Sequence, residues 1–456
     1  MSELNESEVK LEALLGIINS SARQAIAEYK KTGYGVPSAD ATTFHPLDMA
    51  TDTLALKRAI RLLEGAYHQL SAILAPPQHT VMNFVCNYNW ACTNVALRAR
   101  LADVLDQHPE GLSVDRLADA VDLDKSKTAR ILRALSIMGC FKEVERDVFA
   151  NTRLSLILKS ANNTGCFAQL HSTDGPKFAG VLYETMIDQE FSRSHEVDKA
   201  PRVFASSKEG NKDNLWEMME NNEEQRDLFH RAMLGHSDML GASAVLHQYP
   251  WDGISSVVDV GSGIGAISVP LAKMFPHLRI TNHDLPEVIV QARIAWQKDA
   301  PEALLDGRVE FVPINFFEDV PVVGKDVYYL KHIIHNWPDV EATTILRNIR
   351  KAMRPDSVLL IHDCVLFHTL QEPGVGTNGL TIAPEPMLPN FGAGSHRTYQ
   401  TDMTMWLVLN SKERTLDELK ILGQVPSSTS ANAGLALTQV YDLVETMVME
   451  FRIAQS

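Results

Sequence analysis

The chain has 456 residues, 45% of them hydrophobic, which is enough for two or three domains with real cores. Its formal net charge of −15 at pH 7 argues against a nucleic-acid partner, because phosphate binding needs a basic surface. Five cysteines show no metal-ligand spacing, and their odd number argues against a disulfide framework. The start shows no signal-peptide pattern and no apolar run reaches about 18 residues, so we expect a cytoplasmic chain without a membrane partner.

Residues 1–80 are predicted to form an N-terminal helical extension. Apolar residues recur at helical spacing over residues 11–22 and again over residues 54–63. The second pattern ends near Pro76 and Pro77, which break a helix. We interpret these helices as packing or dimerisation elements.

Residues 81–200 carry the pattern of a winged helix, in which three helices precede a small β-hairpin. The helices are predicted over residues 90–105, from Ser113 onward and over residues 125–138, and the hairpin over residues 141–150. The third helix bears four basic residues that suit DNA binding: Lys125, Lys127, Arg130 and Arg133. In an acidic chain we interpret them instead as the solvated face of an amphipathic helix.

Residues 201–456 begin with a polar helical segment and then alternate between strand and helix patterns from residue 255 onward. This alternation predicts an α/β domain with a doubly wound parallel sheet, in which ligands bind at the carboxyl ends of the strands. Residues 371–400 are rich in glycine and proline and are too long for an ordinary connection. We expect them to form a lid-like loop.

A glycine-rich turn follows the first strand of this domain and indicates a nucleoside cofactor. Gly261 and Gly263 let the backbone approach a ligand closely. Asp284, about 20 residues further on, is placed to accept hydrogen bonds from the two hydroxyls of a ribose. Asp259 opens the turn, where it would repel a pyrophosphate but could orient an ammonium group. This combination favours S-adenosyl-L-methionine (SAM) over a dinucleotide.

The fourth strand leads into Lys331 and His335 at the same edge of the sheet. A histidine beside a cofactor cleft suits a general base, because its pKa lies near neutrality. Asp363, which closes the fifth strand, could orient the imidazole or cap a loop. Glu413 could be a second orienting carboxylate, or it could cap the helix that begins at Thr415.

Together these motifs resemble those of class I small-molecule O-methyltransferases of the plant caffeate and flavonoid type and their fungal secondary-metabolism relatives. The resemblance rests on the segments 229–237, 259–263, 283–286, 331–337, 402–405 and 412–415, and it covers residues from about 80 to 455. It implies a Rossmann-like SAM-binding catalytic domain preceded by an all-helical, winged-helix dimerisation domain. A homodimer that acts on a small molecule is therefore expected.

The resemblance also implies roles for single residues. His335 would be the base that deprotonates an acceptor hydroxyl, with Asp363 and Glu413 holding its imidazole. The cofactor would contact Asp259, Gly261, Gly263, Asp284, Asn315, Phe316 and Lys331. The acceptor would contact Met403, Trp406 and His236, and no metal is expected. For Met403 and Trp406, ordinary core packing is an equal alternative.

Three positions depart from the family pattern. Asp363 stands where the family has a glutamate, and its side chain is one methylene shorter, which shortens its reach toward His335. Asn315 replaces an aspartate, so its contact with adenine would carry no charge. Asn336 replaces the aspartate beside the base. None of these changes removes the base itself.

We therefore expect an SAM-dependent O-methyltransferase that acts on a small aromatic or polyketide-type hydroxyl. The alternative is a pericyclase or dehydratase on the same fold, which binds SAM without transferring its methyl group. In that reaction Lys331 and His335 would polarise the substrate. A DNA-binding regulator and a catalytically inactive SAM-sensing partner are the remaining alternatives.

Overall fold

The computed structural model describes residues 5–207, 210, 213–370, 380–424 and 434–454. These residues form two compact units. The first unit is drawn from Met1–Leu63, Tyr67–Gly180 and Trp216–Met239, and the second from Glu64–Ala66, Val181–Leu215 and Leu240–Ser456. None of the described helices combines the length and the apolar character that crossing a membrane requires.

The part of the chain before the large sheet is mostly helical and contributes to both units. In chain order, the helices before the large sheet are α1 (Glu6–Lys31), α2 (Leu54–Leu74), α3 (Pro77–Val85), α4 (Asn89–Arg98), α5 (Leu101–Asp106), α6 (Val114–Ala120), α7 (Lys125–Ser136), α8 (Asn163–Ala179), α9 (Leu182–Ile187), α10 (Pro201–Ser207), α11 (Leu215–Asn221), α12 (Glu223–Leu240) and α13 (Val245–Gln248). Local sequence fixes several of their starts. Ser113 and Asp124 cap α6 and α7, each accepting a hydrogen bond from a backbone N–H of the first turn.

The first unit contains the expected winged helix. Three short strands, β1 (Leu112–Ser113), β2 (Lys142–Glu145) and β3 (Val148–Ala150), form an antiparallel sheet in the order β1-β3-β2. Helices α4 to α7 pack with this sheet around side chains that are at most 1% exposed: Leu101, Leu105, Leu117, Leu132, Phe141 and Phe149. One apolar core thus holds the hairpin and four helices, because the helix predicted over residues 90–105 is divided into α4 and α5 at Arg100, where φ is +54°.

The basic face of α7 is partly neutralised within the same unit. Lys125 Nζ lies 2.8 Å from Asp115 Oδ1. Arg133 Nη2 lies 2.8 Å from Glu143 Oε1 and 2.6 Å from Asp147 Oδ1. Such pairing agrees with the interpretation of these cations as a solvated helix face and gives no support to a phosphate-binding surface.

The two units differ from the boundaries expected at residues 80 and 200. The N-terminal segment belongs to the first unit, where Arg153 N donates to Ala41 O at 2.6 Å. Nearly all of α12, which was expected in the cofactor domain, also belongs to the first unit. The reason is its packing on the start of α8, where Arg231 Nε donates to Asn163 Oδ1 at 3.1 Å. Helical periodicity reveals the helix but not its packing partner.

The second unit is built on a seven-stranded sheet in the order β11-β12-β8-β7-β4-β5-β6. Its strands, with a separate short parallel pair β9 and β10, are β4 (Ser256–Val260), β5 (Arg279–Asp284), β6 (Val309–Pro313), β7 (Val327–Lys331), β8 (Val358–Asp363), β9 (Val365–Leu366), β10 (Arg414–Thr415), β11 (Leu435–Asp442) and β12 (Met447–Ile453). Strands β4 to β8 are parallel, whereas β12 runs antiparallel to β8 and to β11. The doubly wound α/β fold is confirmed, with an antiparallel edge in addition.

Apolar side chains cover both faces of this sheet, as a parallel sheet requires. Val257 and Tyr329 belong to the core on one face, and Val258 and Tyr328 to the core on the other. The remaining helices are α14 (Ser268–Met274), α15 (Pro286–Asp299), α16 (Pro301–Leu305), α17 (Asp339–Ala352), α18 (His396–Leu409) and α19 (Leu416–Gly423). Because the sheet is buried on both faces, polar side chains gather at the ends of its strands.

The loop predicted over residues 371–400 lies partly outside the described residues, since residues 371–379 are not among them. Residues 380–391 form neither helix nor strand, but α18 begins at His396, before the predicted end of the loop. A role as a lid stays a prediction.

Gly235 marks the closest approach of α12 to the start of α8. A Cβ at this position would lie 2.3 Å from Asn163 O and 2.5 Å from Thr164 N, and both are backbone atoms. A glycine at this crossing therefore lets the two helices come together more closely than any side chain would permit.

We expect Gly235→Ala to lower the free energy of unfolding by about 1–3 kcal/mol, because the added methyl overpacks against backbone that cannot step aside. Gly16→Ala is the matched control, since a Cβ at this position in α1 meets nothing within 4 Å. In this control the free energy of unfolding should rise by up to about 1 kcal/mol, because alanine has a higher helix propensity than glycine. Denaturant unfolding measures both variants. Equal stability of the two would contradict the close contact.

Candidate active site

The candidate active site lies in the second unit, at the carboxyl ends of four parallel strands. Asp259 lies near the end of β4, and Asp284, Lys331 and Asp363 are the last residues of β5, β7 and β8. The chain order reverses between β4 and β7, which are neighbours in the sheet. Such a reversal opens a crevice at the strand ends, where ligands of doubly wound folds bind.

The glycine-rich turn after β4 is tightly packed at Gly261, whereas at Gly263 it borders open space. Gly261 N donates to His283 O, and Gly263 N donates to Asp284 Oδ2, both at 2.8 Å. A Cβ on Gly261 would lie 2.4 Å from Ile333 Cδ1, so the turn packs tightly there. A Cβ on Gly263 would meet nothing within 4 Å, and its φ of +54° favours glycine. The backbone at Gly263 therefore faces space that a ligand can enter.

Two carboxylates flank this turn. Burial raises the pKa of Asp259 to about 7, although the nearby Ser268 hydroxyl and the charge of Lys331 act in the opposite direction. Burial also raises the pKa of Asp284, which accepts two backbone hydrogen bonds. These two carboxyl groups fit SAM, because carboxylate oxygens accept hydrogen bonds and the ribose hydroxyls and the ammonium group of SAM donate them. A pyrophosphate would be repelled by the same two groups.

The adenine side of the expected cofactor site lies after β6. Asn315 Oδ1 accepts a hydrogen bond from Phe317 N at 3.1 Å, so this side chain caps the local turn. Phe316 lies beside the glycine turn, where its ring would be 3.8 Å from a Cβ on Gly261. The position of Phe316 suits its expected role, and contacts of Asn315 with adenine stay a prediction.

His335 lies on a short 3-10 turn after β7 and is only 5% exposed. Its Nδ1 lies 2.6 Å from Glu413 Oε1, and Glu413 is 1% exposed. Burial alone would lower the pKa of His335, but the charge and hydrogen bond of Glu413, with the charge of Asp363, raise it overall. Since the Glu413 carboxylate oxygen accepts this hydrogen bond, Nδ1 is the donor and carries the proton of the neutral ring. Nε2 is then the basic atom of the neutral ring.

Asp363 lies close to His335 but does not provide its hydrogen bond. The described contacts of His335 Nδ1 are with Glu413, whereas Asp363 Oδ1 has no hydrogen-bond partner among the described residues. Asp363 is 3% exposed, and its burial raises its pKa. The hydrogen bond at His335 Nδ1 thus comes from Glu413, while the charge of Asp363 contributes to the raised pKa of His335.

Two residues that the sequence analysis gave no role support this pair. Asp402 Oδ1 accepts a hydrogen bond from Glu413 N at 2.9 Å. Arg414, 2% exposed, donates to Ile334 O at 2.8 Å and to Trp337 O at 2.7 Å, on either side of His335. In the sequence, Arg414 directly follows Glu413, and Asp402 begins the 402–405 segment. These positions were the signals from which their roles could have been predicted. Both residues fix the backbone that carries the histidine and its partner.

The other expected site residues have different surroundings. Lys331 opposes protonation of His335 through its charge. Met403 and Trp406 lie half-buried on α18. His236 lies on α12 in the first unit, stacked on Phe167 with ring centroids 4.8 Å apart. The roles of these residues toward an acceptor stay predictions.

A curated relative covers almost the whole chain. The 3-O-methyltransferase 2 of Phanerochaete chrysosporium is 33% identical over 449 residues, which cover 97% of each protein. The chain belongs to the O-methyltransferase family. Residues 195–383 match the model of the O-methyltransferase domain, and residues 88–160 match that of the O-methyltransferase dimerisation domain.

Solved structures of O-methyltransferases and related enzymes share the fold. The mitomycin 7-O-methyltransferase MmcR aligns with a TM-score of 0.64 and 24% identity, covering 84% of this chain and 100% of that one. Human N-acetylserotonin methyltransferase in complex with SAM aligns with a TM-score of 0.63 and 18% identity, covering 84% and 99%. Family membership confirms the expected enzyme class, an SAM-dependent O-methyltransferase with a dimerisation domain before a Rossmann-like domain.

We expect Asp284→Ala to weaken SAM binding to this O-methyltransferase at least about tenfold, because charge-assisted hydrogen bonds to the ribose are worth about 1.5–3 kcal/mol. Isothermal titration calorimetry with SAM measures the change. Asp299→Ala is the matched control, since it removes an exposed carboxylate from the end of α15 in the same unit. An unaltered dissociation constant in Asp284→Ala would remove this residue from the cofactor site.

Proposed function

We propose that this O-methyltransferase methylates a hydroxyl of a small aromatic or polyketide-type molecule in secondary metabolism, with His335 as general base. The observation that carries the proposal is the buried contact of 2.6 Å between His335 Nδ1 and Glu413 Oε1. A carboxylate in this position orients the imidazole and stabilises it once protonated. His335 thereby has the arrangement of a base with its own orienting group.

The proposed step begins with proton transfer from the acceptor hydroxyl to His335 Nε2. Glu413 stabilises the resulting imidazolium, and the buried charge of Asp363 favours the same state. Asp259 and Asp284 would hold SAM, which when bound would supply an electrophilic methyl group on a sulfonium to the deprotonated acceptor oxygen, with S-adenosylhomocysteine as the leaving group. The chain binds SAM and the acceptor molecule, aligns them with each other and removes one proton from the acceptor hydroxyl.

The acidity of the acceptor favours a phenol over an aliphatic alcohol. A reference histidine has a pKa of about 6.5 and a phenol one of about 10, so proton transfer between them costs about 5 kcal/mol. For a hydroxyl as weakly acidic as water the cost is about 12 kcal/mol. The raised pKa of His335 narrows both gaps, and the gap to a phenol remains the smaller of the two.

We also propose that the protein is a homodimer. The support is the match of residues 88–160 to the dimerisation domain, together with apolar side chains that stay about half to two-thirds exposed on α3. These side chains are Val81, Met82, Phe84 and Val85. An exposed apolar cluster of this kind is typical of a protein–protein interface.

Methyl transfer is tested with isotopically labelled SAM and a panel of phenols and polyketide-type alcohols, read by mass spectrometry. The proposal predicts labelled methyl in a product and release of S-adenosylhomocysteine. A rearranged or dehydrated product without methyl gain, with SAM bound but unconsumed, would contradict it. That outcome would establish the alternative of a pericyclase or dehydratase.

We expect His335→Ala to lower kcat by about 100- to 10,000-fold, the range typical of a lost general base. SAM affinity should remain near the wild-type value, because His335 is not among the residues proposed to hold the cofactor. His195→Ala, which removes an exposed histidine of the same unit, is the matched control. Unchanged turnover in His335→Ala would refute the assignment.

The pH profile tests the role of Glu413. Only neutral imidazole accepts a proton, so kcat/KM should rise with pH as His335 loses its proton and then level off. Since Glu413 raises the pKa of His335, Glu413→Gln should move this rise to lower pH. Glu302→Gln, at an exposed site, should leave the profile in place. If kcat/KM rose at the same pH in Glu413→Gln as in the wild type, the rise would have to be assigned to a group other than His335.

A further inference from the structure

Three side chains at the end of the crevice can each offer one atom to a common point. His332, His335 and Asp363 present two ring nitrogens and one carboxylate oxygen that lie within 4.8 Å of one another. The rings of His332 and His335 are 5.0 Å apart between centroids. In the proposed methyl transfer His335 is the base, and no role in the reaction is assigned to His332.

The chemistry of this donor set suits a borderline transition cation. Imidazole nitrogen and carboxylate oxygen are ligands of Zn²⁺, which binds three protein groups and keeps a fourth position open in accessible sites. Tetrahedral bonds of about 2.0–2.2 Å place ligand atoms about 3.4 Å apart. Side-chain rotations that bring the three ligand atoms closer together by about 1.4 Å or less would give the spacing of a tetrahedral site.

Two buried carboxylates favour a cation at this point. Asp363 Oδ1 has no hydrogen-bond partner among the described residues, although the residue is only 3% exposed. Glu413 holds His335 through Nδ1, which leaves Nε2 for a metal. A carboxylate on the remote nitrogen of a ligating histidine is the usual support of zinc sites, since it fixes the ring and raises its basicity.

The backbone at His332 is a further sign of constraint. His332 has a φ of +52°, in the left-handed region that residues other than glycine seldom adopt. Such a conformation persists where the surroundings hold it, and it is frequent at functional sites. Here it occurs at one of the three potential ligands, directly after the last residue of β7.

We propose that His332, His335 and Asp363 bind a divalent transition cation of the Zn²⁺ class and that the bound ion inhibits the enzyme. Inhibition follows because the metal takes the lone pair of His335 Nε2, the atom that would accept the proton of the hydroxyl. This inhibition rests on the proposed role of His335, whereas the binding itself does not. The proposal departs from the expectation of a site without metal.

Binding is tested directly with Co²⁺ as the spectroscopic substitute for Zn²⁺ on the full chain. The proposal predicts visible absorption typical of four-coordinate Co²⁺, abolished by Zn²⁺. His332→Asn is the informative variant, because asparagine tolerates positive φ but lacks the imidazole. It should lose the absorption while binding SAM as the wild type does. Asp363→Asn gives a second variant with the same expected loss.

Activity is then measured against Zn²⁺, with Mg²⁺ as the control, since Mg²⁺ prefers sites made of oxygen ligands. Zn²⁺ should inhibit the wild type, and His332→Asn should need at least about tenfold more Zn²⁺ for half inhibition. Absence of the Co²⁺ spectrum, or equal Zn²⁺ sensitivity in both proteins, would overturn the proposal. A Co²⁺ spectrum in a protein that transfers no methyl group would uphold the site and refute the proposed function alone.

Discussion

The buried pair of His335 and Glu413 is the contact on which the site depends. An ionised carboxylate with 1% exposure is costly unless it is paired, and here the imidazole provides the pairing at 2.6 Å. Glu413 Oε2 has no hydrogen-bond partner among the described residues, so the contact of Oε1 with the imidazole carries the hydrogen bonding of this buried carboxyl group. A change at either residue therefore affects both folding and chemistry.

This pair joins segments that are 78 residues apart in the chain. His335 follows β7, and Glu413 directly precedes β10, so the contact forms only when the C-terminal segment docks at the end of the sheet. Arg414 and Asp402 hold this docking, the former through the backbone around His335 and the latter through the backbone of Glu413. The cofactor half of the site, by contrast, comes from consecutive elements and forms locally.

That difference explains what could be predicted from the sequence. The turn at Gly263 and the position of Asp284 at the end of β5 were predictable, because glycine spacing and strand ends are local features. Asp363 and Glu413 were both predicted to hold His335, whereas the hydrogen bond at Nδ1 comes from Glu413. This outcome depends on the length of one side chain and on the path of a distant loop. The packing of α12 was missed because Gly235 reports a close contact only in three dimensions. The antiparallel strand β12 likewise depends on pairing that periodicity does not encode.

The measurement that tests the central claim most directly is a pH titration of ¹⁵N-histidine-labelled protein by NMR, with the His335 signals identified from their absence in His335→Ala. The account predicts that the neutral ring carries its proton on Nδ1, opposite Glu413, and that its pKa lies above the value of an ordinary histidine. A neutral ring protonated on Nε2, or a pKa below the ordinary value, would contradict the assignment of His335 as a base held by Glu413.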